Sequence, residues 1–194
     1  LQDVARALRW IRDHGSQYPC DMQNIMLTGD SAGGQLAAYS AVLMQSAQLR
    51  KTFDTVDPQM ELTALLLTSP VAFMRDGGLF SLYTKPMWGT DYKDKATYPY
   101  MDFDQIIDYA QALPPTYLIT SSGDTLANKQ THRLYEVLQA HGVQAEIKDY
   151  AKAEYDQSLP HVFSVLQPFE PAGTAAIDKA LAFYKQAMTA KAAQ

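Results

Sequence analysis

Residues 29–34 read Gly29-Asp30-Ser31-Ala32-Gly33-Gly34 and directly follow the apolar run Ile25-Met26-Leu27. The stretch behind them, Gln35 to Met44, is apolar and rich in helix formers. This pattern predicts a strand over about 25–29 that turns sharply into a helix over about 32–48. Such a turn strains the backbone at Ser31 and exposes its Oγ. The glycines around it remove Cβ atoms that would collide as strand and helix close on each other. The N–H of Ala32 falls at the helix N-terminus, where negative charge is favoured. An ordinary glycine-rich strand–helix turn carries the same local pattern, so the meaning of the motif depends on its partners elsewhere.

The rest of the chain alternates in the same way. Leu8, Val4 and Ile11 fall on one face of an opening helix that ends near His14-Gly15. Leu62–Thr68 is a continuous apolar run, which predicts a strand buried on both faces and ended by Ser69-Pro70. Arg50–Glu61 reads as a loop. Thr116–Ser121 is a further strand, Asn128–Ala140 a helix with Leu134, Val137 and Leu138 inward, and Ala145–Tyr150 a fourth strand. Thr174–Ala190 closes the chain as an Ala-rich helix with Ile177, Leu181 and Tyr184 on one side. Strands that alternate with helices imply an α/β fold with a mostly parallel sheet, and no repeat or low-complexity linker marks a domain boundary in 1–194.

Residues 72–115 are irregular, with one short helix expected around 103–111. They carry Phe73, Phe80, Tyr83, Trp88, Tyr92, Tyr98, Tyr100, Phe103 and Tyr109. Two readings stand side by side: aromatic packing under a long loop, or a lid or pocket wall for a substrate.

Composition excludes several classes. Of 194 residues 47% are hydrophobic and 19% charged, enough apolar mass for a core, with a net charge of −5. A mildly acidic chain without a basic stretch argues against nucleic acid as a partner. No apolar run approaches the ~20 residues of a membrane span. Cys20 stands alone, so neither an intrachain disulfide nor a cysteine metal cluster is expected, and no cofactor is expected. The cytoplasm is the expected location, although composition does not fix it.

A serine hydroxyl is a weak nucleophile and needs a histidine base oriented by an acid. In a parallel sheet such groups sit beyond the carboxyl ends of strands. Asp124, in the Ser-Ser-Gly-Asp turn after 116–121, fits the acid; an Asx turn or helix cap is its plainer reading. Glu154 and Asp156 follow no strand so closely. His161, beyond the last strand, fits the base. His14 and His141 each precede a glycine at a helix end, and His132 lies within a helix on its surface.

With these residues in the order Ser31, Asp124, His161, the chain resembles α/β-hydrolase-fold esterases and lipases, in particular the hormone-sensitive-lipase-like branch of carboxylesterases. Gly29–Gly34, Pro114-Pro115 before a strand ending at Gly123-Asp124-Thr125-Leu126, and the His161 loop carry the resemblance, which spans essentially the whole chain. It implies hydrolysis of small esters through an acyl-enzyme, with Ser31 as nucleophile, His161 as base then acid, Asp124 as orienter and Ala32 as an oxyanion donor. Asp30, Phe73 and Trp88 are candidates for substrate contact. A peptidase or arylformamidase would use the same triad. A non-catalytic remnant that binds a ligand or partner through 72–115 belongs to a different class.

In that family a second oxyanion donor comes from an upstream His-Gly-Gly loop, and further strands precede the nucleophile. The chain is therefore expected to represent the carboxyl-terminal two-thirds of the fold, without the second donor. Strand 25–29 would then lie at a sheet edge and favour self-association.

Overall fold

The structure, a computed structural model, describes residues 1–75, 85, 86 and 88–193. Four strands, β1 (Met26–Asp30), β2 (Ala64–Thr68), β3 (Thr116–Ser121) and β4 (Ala145–Tyr150), form one sheet in the order β1-β2-β3-β4. Every neighbouring pair is parallel. Parallel strands need crossovers. One is supplied by α2 (Ala32–Gln45) with α3 (Ala47–Thr52), and another by α4 (Asn128–Ala140). The opening helix is α1 (Gln2–His14); α5 (Phe163–Leu166) and α6 (Pro171–Ala192) follow the last strand.

The period of two along each strand divides the core. Leu65, Leu67 and Leu118 pack with Ala37, Ala38, Val42, Leu134 and Leu138 on the α2 and α4 side. Ala64, Tyr117, Ile119 and Tyr150 pack with Phe163, Ala176, Ala180 and Phe183 on the α6 side. Burial on both faces is why β2 reads as one apolar run.

Several elements differ from the sequence expectation. The helix after Ser31 ends at Gln45, because Ser46 turns to an extended backbone and caps α3 with its Oγ, which accepts from Leu49 N–H at 3.2 Å. The segment expected as a helix near 103–111 is a pair of 3₁₀ turns, Phe103–Gln105 and Ile107–Tyr109. On α1, Ala5 and Leu8 are buried while Ile11 is exposed. On α6, Ala172, Ala176, Ala180 and Ala187 face inward, and Ile177 and Leu181 are exposed. Small side chains allow that helix to lie close on the sheet, where Phe183 stacks at 5.2 Å from Tyr117.

Candidate active site

The strand–helix junction holds Ser31 at φ 52° and ψ −118°, a strained conformation for a residue with a side chain. The surroundings fix it. Ser31 N–H donates to the Thr68 carbonyl at 3.0 Å, and the Ser31 carbonyl accepts from Val71 N–H at 3.1 Å and Gln35 N–H at 3.2 Å. A Cβ on Gly29 would strike the Gly33 carbonyl, and one on Gly34 would come within 2.8 Å of the Pro70 ring. Gly33, the last residue of the Gly-x-Ser-x-Gly match, faces open space. Close packing of strand on helix thus rests on Gly29 and Gly34.

Asp124 lies in the turn after β3. Its N–H donates to the Ser121 carbonyl at 3.0 Å. Oδ1 accepts from Leu126 N–H and Ala127 N–H, both at 2.9 Å. This is the Asx-type turn that was the plain reading of the residue, and it leaves Oδ2 free to face His161. The two loops are tied together by Ser121 Oγ, which donates to the Leu159 carbonyl at 2.7 Å. Two residues on, His161 Nδ1 lies 2.9 Å from Asp124 Oδ2, and Nε2 lies 2.9 Å from Ser31 Oγ. The Asp124 side chain is 0% exposed and that of His161 is 23% exposed. The three side chains therefore run from a dry carboxylate to a half-buried serine. Burial, the largest influence on the Asp124 carboxyl, favours the neutral acid. Hydrogen bonds from Ala127 N–H and His161, with the Ser69 hydroxyl, outweigh it and hold the pKa below the ordinary value.

Ala32 is the first residue of α2, so its N–H has no partner within the helix. A cavity of about 620 Å³ is lined by Gln35, Leu36, Tyr39, Phe53, Trp88, Tyr92 and Tyr100 among others, and Ser31, Ala32 and His161 are not among its lining residues. Trp88 thus borders open space. Phe73 is fully buried in the core, with the Arg133 guanidinium 3.8 Å from its ring centroid. Asp30 is exposed at the end of β1. Among the described residues, neither Phe73 nor Asp30 lines this cavity. Phe80 and Tyr83 lie outside the described residues.

The other histidines are engaged elsewhere. His14 Nδ1 is 2.8 Å from the Trp10 carbonyl and the ring stacks on Trp10. His141 contacts the Val137 carbonyl and Asp108. His132 Nε2 lies 2.9 Å from Asp149 Oδ2 and links α4 to β4. Among the described residues no group of His, Cys, Asp and Glu side chains could hold a metal ion. No described helix is long and apolar enough to cross a membrane. Sequence reasoning took Ser69-Pro70 only as a strand stop and did not single out Gln130. Their position beyond β2 and in α4 gave one usable signal: Ser69 sits at the carboxyl end of a buried parallel strand.

A serine at a sharp turn after one strand, an aspartate after another and a histidine beyond the last, in hydrogen-bond reach of one another, is the arrangement of the α/β-hydrolase class. Residues 1–159 match the family described as alpha/beta hydrolase fold, and the chain belongs to it. It is similar to the "Probable carboxylic ester hydrolase LipM" of Mycobacterium tuberculosis, with 26% identity over 93% of this chain and 42% of LipM. Esterase LipQ of the same organism is 36% identical over 33% of this chain and 15% of its own length. The crystal structure of inhibited esterase B from Lactobacillus rhamnosis superposes with a TM-score of 0.88 and 27% identity. That match covers 98% of this chain and 62% of esterase B. The chain thus spans less than two thirds of these relatives.

Proposed function

We propose that this chain hydrolyses small carboxylic esters through a covalent acyl-enzyme on Ser31. The observation that carries the reading is the unbroken Ser31–His161–Asp124 relay, with both contacts at 2.9 Å. His161 Nε2 takes the proton as Ser31 Oγ bonds to the ester carbonyl carbon. The carbonyl oxygen becomes an oxyanion, and the Ala32 N–H at the head of α2 faces that charge. When the carbonyl re-forms, the bond to the alkoxy oxygen breaks and the alcohol leaves with the proton from His161. Water then repeats the sequence, with His161 as base, and frees the acid and Ser31. Asp124, ionised and dry, holds the tautomer and orientation of His161 throughout.

The aromatic cavity supports residues 72–115 as a wall of the substrate pocket, with Trp88 in contact with substrate. Esterase B, 29% identical over 100% of this chain and 63% of its own, has been crystallised with a tributyrin phosphonate inhibitor. Short-chain glycerol esters are therefore the first substrates to try.

A fluorophosphonate probe is expected to label Ser31 stoichiometrically. Ser31→Ala should abolish labelling, and His161→Ala should slow it by orders of magnitude. An unlabelled wild-type chain that is nevertheless stabilised by an aromatic ligand would point instead to a binding role for the cavity.

A further inference from the structure

Ser69 occupies a place where its own side chain is costly. It follows β2 with φ 45°, in the left-handed region that glycine adopts without strain. Its side chain is fully buried, and Oγ has no hydrogen-bond partner of normal geometry in this state. Glycine would relieve the strain and remove the buried, unpaired hydroxyl. A serine here calls for a use of that hydroxyl.

The surrounding backbone shows where it is aimed. Ser69 N–H donates to the Ile119 carbonyl at 2.7 Å, which sets the residue beside β3, the strand that leads into the Asp124 turn. On its other side, Thr68 and Val71 hold the two backbone groups of Ser31. The corner 68–71 therefore clasps the elbow through its backbone and borders the acid with one side chain. An ionised carboxylate accepts about four hydrogen bonds. Leu126 and Ala127 donate to Oδ1 of Asp124, and His161 faces Oδ2, so Oδ2 retains room for one more donor. Set against that carboxyl, the Ser69 hydroxyl is one of the smaller influences that favour its ionised form, although the resting geometry leaves the contact itself unmade.

We propose that Ser69 is a positioning residue for the relay: its hydroxyl turns onto Oδ2 of Asp124 when His161 takes up the serine proton, and locks the carboxylate against rotation. Contacts of this kind are often long at rest and tighten as charge develops. The kinetic consequence rests on the hydrolase reading; the effect on Asp124 does not.

The test uses wild type, Ser69→Ala and Ser69→Gly. Carbon NMR follows the Asp124 carboxyl titration, and fluorophosphonate labelling is timed across pH. The Asp124 midpoint should rise in both variants. Labelling at neutral pH should slow about tenfold, as for the loss of one hydrogen bond. Ser69→Gly should melt no lower than wild type, because glycine suits the backbone. If Ser69→Ala fails to fold, Ser69→Gly carries the test. An unmoved Asp124 midpoint in Ser69→Gly overturns the proposal, whatever happens to stability. If wild type is not labelled, the hydrolase reading fails, while the midpoint still decides the role of Ser69.

Discussion

At Asp124, burial and hydrogen bonding pull in opposite directions, and the hydrogen bonds win. The folded pKa lies below the unfolded value of about 3.9, so folding favours the ionised form. The stability this carboxylate contributes is fully present above that unfolded pKa and is lost as pH falls through the lower folded one. Asp102 acts with the opposite sign, because burial raises its pKa above the ordinary value. Urea midpoints of wild type and Asp124→Asn, measured at pH 7 and again near pH 2, separate the two. The variant should be less stable at pH 7, and the gap should shrink in acid. An equal gap at both pH values would contradict a depressed Asp124. Ser31 and Asp124 sit just beyond strand ends, where local signals are strong, and His161 lies in the loop after the last strand, so their meeting depends on the sheet that brings these ends together. The side chains around them were less legible. Phe73, a candidate for substrate contact, is core, since the chain folds back there and pairs Phe73 with Asp102 across a single antiparallel bridge.

The irregular segment after β2 is anchored by a helix that the sequence did not connect with it. Gln130 on α4 accepts from Ala72 N–H at 2.9 Å and Phe73 N–H at 3.1 Å, and donates to the Phe73 carbonyl at 3.1 Å. One amide side chain thus pairs three backbone groups of residues 72–73 beside the single bridge to Asp102. Gln130→Ala would leave these buried backbone groups unpaired, at a cost of about 1–3 kcal/mol. Equilibrium unfolding in urea should show a loss of that size, and a loss under about 0.5 kcal/mol would mean that water reaches them. Such a link was invisible in the sequence because it joins positions far apart and depends on no period. The inward faces of α1 and α6 were misjudged for a related reason. Periodicity ranks Ile and Leu as inward, but on the last helix close packing on the sheet selected alanines and left Ile177 and Leu181 exposed, while α1 buries Ala5 and Leu8 and leaves Ile11 exposed. The strands were read to within two residues; β2 and β3 are buried and read as continuous runs, while the edge strands β1 and β4 were marked by the turns around them.

Across the whole molecule, the two edges of the sheet are protected unequally. β4 carries Glu146, Lys148 and Asp149, and Lys148 pairs with Glu154 at 3.2 Å. Charges of this kind disfavour pairing with another strand. β1 reads Met-Leu-Thr-Gly-Asp and bears a charge only at its last residue. The Ile25 carbonyl and the Ser31 N–H both turn toward β2, at 2.7 Å from Thr63 N and 3.0 Å from the Thr68 carbonyl. In a parallel ladder the groups of the alternate residues, Met26, Thr28 and Asp30, then turn away from it. An edge with a charge only at its last residue and with outward N–H and C=O groups favours association of one copy with another. Light scattering should therefore show a mass that rises with protein concentration. Thr28 is exposed, so Thr28→Lys adds a charge to this edge without touching the β1–β2 ladder. It should lower the association and leave the melting temperature and the labelling of Ser31 unchanged. A constant monomer mass in wild type, or equal association in Thr28→Lys, would show that the β1 edge is not the surface through which copies meet.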